Sequence, residues 1–541
     1  MVALGAAMVG TIAPALSDNV DPQRIEERLP KDAPRGDKDL GATVAPGLKV
    51  DEDNIAAIPQ FTLLKATIDG MRAVDRSEAD ACIAPLVGQT VGAASLLGLS
   101  ECLTKLYRDR GFFLSRAFLP AQEVKDGNLA IKVIEGRIAA IDVAGMNAAD
   151  AQTQFAATLA AEPAHLATFE RDLMLLADRY GYRVVSSQLL VDPNDPSKYT
   201  LKLKVEVAGA SWRLYADNRG NSESGSDQAF GWAALNSVAT AGDRLAASLF
   251  TVPSGTESLV FGDISYARPW AAGDVWTEVG TSMSRTRNER MGKDGDVDRL
   301  YARITAPLLR TRAQSLWATV FFDARDTEEV GSGGSHMEER VRILRGSLSY
   351  TLVKGATRAD LTLEGARGLD AFDASKNGDA NLTHADARPQ FTKVRLDATV
   401  TRKLAKQWDA AFLFAGQMAD GSLVRSEEFG AGGARFGRAY DYSEITGDNG
   451  IAGALELRYT LSDIASWLKT VQLYAFADAA MVWNRGTGQP QQDLSSAGLG
   501  VRLSPMTGVV LSFELAQPLS RDVADKGDRG LRPFVSLQMG W

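Results

Sequence analysis

From residue 211 to residue 541 the chain repeats one pattern. Segments of about eight to fourteen residues alternate apolar and polar side chains, and turns separate them. About sixteen such segments follow one another. In 532–541, Val535, Leu537, Met539 and Trp541 point one way, and Ser536, Gln538 and Gly540 the other. In 508–518, Val509, Leu511, Phe513 and Leu515 share a face opposite Ser512 and Glu514. In 451–460, Leu455, Leu457 and Tyr459 oppose Glu456 and Arg458. The connections also alternate. Those at 404–407 and 505–507 are short, while 369–389, 419–450 and 519–531 are long and polar. A soluble sandwich has no need of that asymmetry. A membrane barrel does, with short turns on one side of the bilayer and long loops on the other. The expected fold for 210–541 is therefore an all-β transmembrane barrel of about sixteen antiparallel strands.

Ahead of the barrel lies an internal repeat. LYRDRGF at 106–112 is echoed by LADRYGY at 176–182. Each copy ends a helix at a glycine, the residue that accepts the left-handed C′ position. A strand follows (FFLSRAFLP or YRVVSSQLLV), then a turn (125–128 or 192–196), then a second strand (LAIKVIEG or YTLKLKVEV). With two helical stretches and an opening strand upstream, each copy reads strand-helix-helix-strand-strand, an α+β unit. Leu96, Leu99, Leu103 and Leu106 share a helical face and form its core. Further upstream, 20–29 reads as a short polar helix with Asp21 capping and Pro22 at its first position, or else as a frayed tail. Residues 30–59 read as a linker. Residues 1–17 are apolar and small and end in APALS, like the core and cleavage region of a signal peptide without its basic start.

Composition removes other classes. A net charge of -9 argues against nucleic-acid binding. Three histidines and two cysteines leave little for metal sites or histidine catalysis. No run of eighteen apolar residues follows the N-terminus, so a transmembrane helix is not expected. No phosphate-binding Gly-Lys-Ser/Thr loop, His-Glu-x-x-His, Cys-x-x-Cys or Gly-x-Ser-x-Gly occurs. No enzyme activity and no cofactor are expected.

Two stretches carry a family resemblance. LYRDRGFFLSRAFLPAQEVKDGNLAIKVIEG is similar to the first POTRA domain of haemolysin-activator transporters. The glycine- and aromatic-rich stretch GAGGARFGRAYDYSEITGDNG, at 430–450, resembles the inward-folded loop of the same two-partner secretion (TpsB) family. Gly432 and Gly433 match its Gly-Gly pair, and Gly447 and Gly450 bracket its Gly-Asp-Asn-Gly. Gly437-Arg438-Ala439-Tyr440 stands where the family has Val-Arg-Gly-Tyr or Phe. Phe476-Ala477-Asp478-Ala479-Ala480 stands where it has Phe-x-Asp-x-Gly. The resemblance implies an order: a signal-peptide remnant (1–17), a plug helix (18–30), a linker (31–60), POTRA domains (61–136 and 137–209), and a barrel (210–541) with inward loop 419–450. It implies a lumen lock in which Arg438 pairs with Asp478, beside Tyr440 and Phe476. Strand parity agrees, since Gln472, Tyr474, Phe476 and Asp478 share a face.

The resemblance also implies an outer-membrane location with the POTRA domains in the periplasm of a Gram-negative cell. Trp541 would be the C-terminal signal read by the barrel-assembly machinery. The partner would be an unfolded haemolysin-, haemagglutinin- or adhesin-like exoprotein. An insertase of the same superfamily is the alternative, though such insertases usually carry more POTRA domains; a passive porin would not need a POTRA pair. Cys82 and Cys102, in one small exported domain, are either a disulfide or two buried thiols, and export favours the disulfide.

Overall fold

A computed structural model of the chain describes residue 25, residues 42–44 and residues 59–540, except 221–224, 254–256, 271, 289–291, 332–335 and 487–489. The signal-peptide reading of 1–17, the plug-helix reading of 18–30 apart from Ile25, and the signal at Trp541 lie outside the described residues.

The first strand, β1 (Ala42–Val44), belongs to the linker. The first α/β unit then comprises β2 (Phe61–Thr62), β3 (Lys65–Asp69), α1 (Arg76–Ile83), β4 (Thr90–Val91), α2 (Ala93–Asp109), β5 (Arg116–Phe118) and β6 (Asn128–Ile134). Its main sheet runs β3-β6-β5. Leu96, Leu99, Leu103 and Tyr107 of α2 are buried against Leu129, Ile131 and Val133 of β6. Leu106 packs at the margin of that cluster. The β5–β6 turn takes positive φ at Asp126 and Gly127, as a tight hairpin requires.

Cys82 of α1 and Cys102 of α2 are bonded, with their Cα atoms 6.0 Å apart. Tying the two helices across 20 residues stabilises the unit by roughly 3 kcal/mol in the chain-entropy picture. Thiol labelling of the denatured, unreduced protein should modify neither cysteine. Labelling of both would remove the crosslink from this account.

The second unit comprises β7 (Arg137–Ala144), α3 (Ala148–Gln154), α4 (Ala156–Ala160), α5 (Leu166–Asp178), β8 (Tyr182–Asp192) and β9 (Asp195–Val207). Phe169, Leu173 and Leu176 of α5 pack on Val184, Leu189, Leu201 and Leu203. The linker strand β1 pairs in parallel with the edge strand β8, Ala42 opposite Ser186.

One sequence expectation needs correction here. Of FFLSRAFLP, only Arg116–Phe118 is strand. Leu114 is buried in the second unit's core, and the Phe113 ring stacks on Phe169 at 5.8 Å. The apolar run reads as strand but serves as a clasp between the units.

The barrel begins at once. Its strands are β10 (Ala210–Asp217), β11 (Gln228–Asn236), β12 (Arg244–Pro253), β13 (Glu257–Trp270), β14 (Val275–Asn288), β15 (Lys293–Arg310), β16 (Gln314–Val330), β17 (His336–Lys354), β18 (Thr357–Gly368), β19 (Thr392–Lys403) and β20 (Trp408–Ala419). After a loop hairpin of β21 (Phe429–Ala431) and β22 (Ile445–Gly447) come β23 (Asn449–Ala465), β24 (Leu468–Trp483), β25 (Gln492–Ser504), β26 (Val509–Pro518) and β27 (Arg532–Gly540). The sixteen barrel strands close on themselves, with β27 returning to β10. Among the described residues that seam pairs Arg213–Asp217 with Ser536–Gly540, whereas β16 and β17 pair along the whole of Gln314–Val330.

Strands β15, β16 and β17 are 18, 17 and 19 residues long and exceed the sequence expectation. They continue past the apolar alternation into charged ends such as Asp294–Asp298 and Arg325–Glu329, and in the latter both faces are polar. Faces sort as expected elsewhere. In β24, Leu473 is 49% exposed to the outside, while Tyr474, Phe476 and Asp478 are each 5% exposed within. Apolar outer faces of this extent call for lipid.

The second unit docks on the barrel's short turns. Arg310, at the end of β15, holds Asp178, at the end of α5, through two hydrogen bonds of 2.8 and 3.1 Å, both side chains buried. Gln154 donates to the Ala272 carbonyl at 2.9 Å, and Tyr180 meets Trp276 edge-on at 5.2 Å.

Candidate functional site

Residues 420–448 leave the top of β20 and descend into the lumen as the β21–β22 hairpin. That hairpin pairs with no barrel strand. Side chains from the Gly-Asp-Asn-Gly motif pinch its neck. The Asp448 carboxylate accepts the Leu423 amide at 2.6 Å and the Arg485 amide at 2.7 Å. Asn449 accepts the Ala419 amide at 2.9 Å. Gly450 is small for a steric reason, because a Cβ there would sit 2.2 Å from the Phe429 ring. Gly447 closes the hairpin opposite Phe429.

The tip folds back on itself. Gly432 has φ +121°, and a Cβ would meet the Asp441 carbonyl at 2.0 Å, so no other residue fits. Gly433 donates to the Tyr440 carbonyl at 3.2 Å, and Tyr440 to the Gly437 carbonyl at 2.8 Å. This small turn presents two consecutive amides to the wall.

Those amides, not the arginine side chain, meet Asp478. Gly437 N and Arg438 N donate to its two carboxylate oxygens at 3.0 and 3.2 Å, and the Ser496 hydroxyl adds a third bond. The Arg438 guanidinium goes elsewhere. It donates to Glu456 at 2.6 Å, lies 3.5 Å from Glu514, and covers the Phe476 ring at 4.4 Å. The expected Arg438–Asp478 side-chain pair is thus replaced by a backbone cradle and a separate charge cluster. The physical reason is reach. A carboxylate directly below a turn is filled by the turn's own N–H groups, and the longer guanidinium passes over it to the next wall strands.

Glu456 also holds Arg502 at 2.8 Å and Arg458 at 2.6 Å, and Glu514 holds Arg219 at 2.6 Å. Tyr440 is buried and donates its hydroxyl to the Ser495 and Arg521 carbonyls, both at 3.2 Å. All four expected lock residues, Arg438, Tyr440, Phe476 and Asp478, therefore meet at one place.

Sequence reading missed three groups. Parity had placed Glu456 and Glu514 inward, but it gives no register between strands, so their convergence was hidden. The third is Glu427, in the 3-10 turn Arg425–Glu427 at the base of the loop. It is fully buried and bound by Arg325, Arg345 and Lys393. No pattern around it marks it in the sequence.

A second lumen occupant is Ile25. It is helical and fully buried against Phe250, Val252, Leu259 and Phe261 of β12 and β13. Their neighbours Leu249 and Val260 are exposed on the outer face, which places Ile25 inside the barrel.

Comparison with known proteins agrees with this architecture. The ShlB-type POTRA family matches residues 61–136. The family described as haemolysin secretion/activation protein ShlB/FhaC/HecB matches residues 200–503, more than half of the chain. The outer membrane transporter CdiB of Escherichia coli is 31% identical over 123 residues, which are 23% of this chain and only 19% of that relative's length. The heme/hemopexin transporter protein HuxB of Haemophilus influenzae (strain 86-028NP) is 21% identical over 477 residues, 82% of this chain and 80% of HuxB. The solved structure of CdiB from Escherichia coli has a TM-score of 0.74 at 20% identity, covering 97% of this chain and 96% of that one. At that identity the likeness speaks for the fold alone. Taken with the family match along the barrel, it places the chain: it belongs to the haemolysin secretion/activation family ShlB/FhaC/HecB, the outer-membrane β-barrel transporters of two-partner secretion.

Proposed function

We propose that the chain receives an unfolded partner exoprotein in the periplasm and passes it through its barrel to the outside. The exoprotein is of the haemolysin, haemagglutinin or adhesin kind. The observation that carries this reading is the lumen. Among the described residues its occupants are the 420–448 hairpin and Ile25, and both stand outside the barrel's strand ladder. Elements held that way can leave without unzipping the barrel. Ile25 stands for the plug. The second α/β unit acts as a second POTRA domain beside the first, and the buried Arg310–Asp178 pair keeps it under the pore. The edge strand β8 already accepts one added strand, from the linker, and an extended exoprotein segment can add in the same way. The barrel-assembly machinery inserts the barrel, reading its last strand.

The test of the function is secretion itself. Where a gene beside its own encodes a large exoprotein, co-expression of the two should release that protein to the cell surface or medium. Retention of the exoprotein in the periplasm, with the barrel inserted, would defeat the reading. The plug has its own test in planar bilayers. Deleting 20–29 should raise the conductance severalfold, because the lumen loses an obstruction. Unchanged conductance would make the segment a tail.

A further inference from the structure

The base of the inward loop rests on a site that has no assigned role. Glu427 is 0% exposed. Its carboxylate receives Arg345 through two bonds, at 2.7 and 3.1 Å, Arg325 at 3.2 Å and Lys393 at 2.8 Å. Its carbonyl accepts Lys393 at 2.8 Å and Gln417 at 2.9 Å. The cations stand on β16, β17 and β19, a sector of the wall away from the β23–β26 sector that holds the loop tip. The remaining charges are arranged around them. Asp323 holds Arg299 at 2.8 Å and Arg325 at 2.9 Å, and Glu364 lies 3.5 Å from Arg345. Four cations face three carboxylates, and Glu427 is the only one of the three that belongs to the loop.

This geometry has a consequence when the loop leaves. Arg325, Arg345 and Lys393 are fixed on rigid strands and stay behind. Arg325 and Arg345 keep Asp323 and Glu364 on the wall, but Lys393 loses its carboxylate and the site is left with an excess of positive charge, which favours an anion in the place Glu427 vacates. A bidentate arginine beside a lysine selects a planar carboxylate. We propose that Arg325, Arg345 and Lys393 form a carboxylate-binding site on the lumen wall, that Glu427 is its built-in occupant, and that aspartate or glutamate side chains of a chain in transit take its place. Glu427 thereby acts as a second clasp of the loop, released by competition and not by unfolding. The proposal rests on the reading of the barrel as a polypeptide pore. Its test needs no exoprotein, so the two can fail separately.

The test is electrophysiology on the full chain in planar bilayers, with hexaglutamate as the probe. E427Q removes the resident charge. It should shift the reversal potential in a salt gradient toward anion selectivity and lower the hexaglutamate concentration that blocks the pore by about tenfold. K393Q removes one cation while leaving Arg325 and Arg345 on Glu427. It should weaken the hexaglutamate block by a similar factor, and hexalysine should block neither variant more than the wild type. A role limited to loop stability would raise conductance in E427Q without changing charge selectivity. Equal hexaglutamate block in wild type, E427Q and K393Q overturns the site. Where E427Q fails to insert, K393Q alone decides by the same criterion.

Discussion

Asp478→Ala should abolish secretion while leaving an inserted barrel. The substitution takes the acceptor from the Gly437 and Arg438 amides and from the Ser496 hydroxyl, in a place that water does not reach. Each stranded donor costs about 1–3 kcal/mol, so the two amides of the tip alone lose roughly 2–6 kcal/mol of hold. A change of about 5.5 kcal/mol is enough to invert a 99:1 equilibrium, so the loop should leave its inward position. The barrel keeps its closed ladder and should still migrate as a folded species in unheated gels. Asp478→Asn retains one acceptor oxygen and should fall between the two. Arg438→Ala should also stop secretion, by a different route. Glu456 and Glu514 keep Arg502, Arg458 and Arg219, so no carboxylate is orphaned, and the loss is of the tip's own anchor. A swap of Arg438→Asp with Asp478→Arg should therefore rescue nothing, since the two side chains are not a pair. Recovery in the swap would restore the simple ion pair that the sequence had implied, and native secretion by Asp478→Ala would make the loop incidental.

Asp178→Ala should free the second α/β unit from the barrel. The Arg310–Asp178 pair is buried on both sides, whereas Arg171–Asp274 and Arg312–Glu170 are substantially exposed and contribute little. Removing the aspartate leaves a buried guanidinium without its carboxylate, typically at about 3–5 kcal/mol. Amide exchange at the 272–274 turn and the end of α5 should speed up by about a hundredfold or more. Exchange in the β15–β17 wall should not change. Secretion should fall with it, because the receiving unit no longer sits under the pore. The double substitution Asp178→Leu with Arg310→Met should restore slow exchange if the pair serves only to dock the unit. Unaltered exchange in Asp178→Ala would assign the docking to the aromatic contact at Trp276.

Much of this was legible in the chain because period-two alternation is a local property. Leu473 against Tyr474, or Leu455 against Glu456, can be sorted between lipid and lumen with no knowledge of the neighbouring strand. What the alternation does not carry is register. Glu456 and Glu514 come from separate stretches that only the ladder brings together, and Arg438 reaches them from the inward loop. The motif glycines were readable for the same local reason, since Gly432 answers to its own backbone angle. Asp478 was found by the motif resemblance, with which parity agreed, but its partner was misassigned, because a sequence displays the arginine side chain and hides the amide beneath it. Leu114 was read into a strand because an apolar run looks alike whether it faces its own core or a neighbour's.

The unequal strands also set terms for the lipid. At the seam, β10, β26 and β27 have 8, 10 and 9 residues. A tilted strand needs roughly nine to eleven to cross a bilayer's hydrocarbon. On the far wall, β15–β17 have 18, 17 and 19 residues and rise well above it. Only β10 falls below that span, so acyl chains bordering it must shorten or splay slightly to meet the protein, at a cost of a fraction of a kcal/mol per Å of mismatch. That stretch of annulus is where the barrel has its fewest rungs among the described residues, the five between Arg213–Asp217 and Ser536–Gly540. The surrounding membrane is thinnest where the ladder is shortest, so bilayer thickness is a variable that acts on this barrel from one side only.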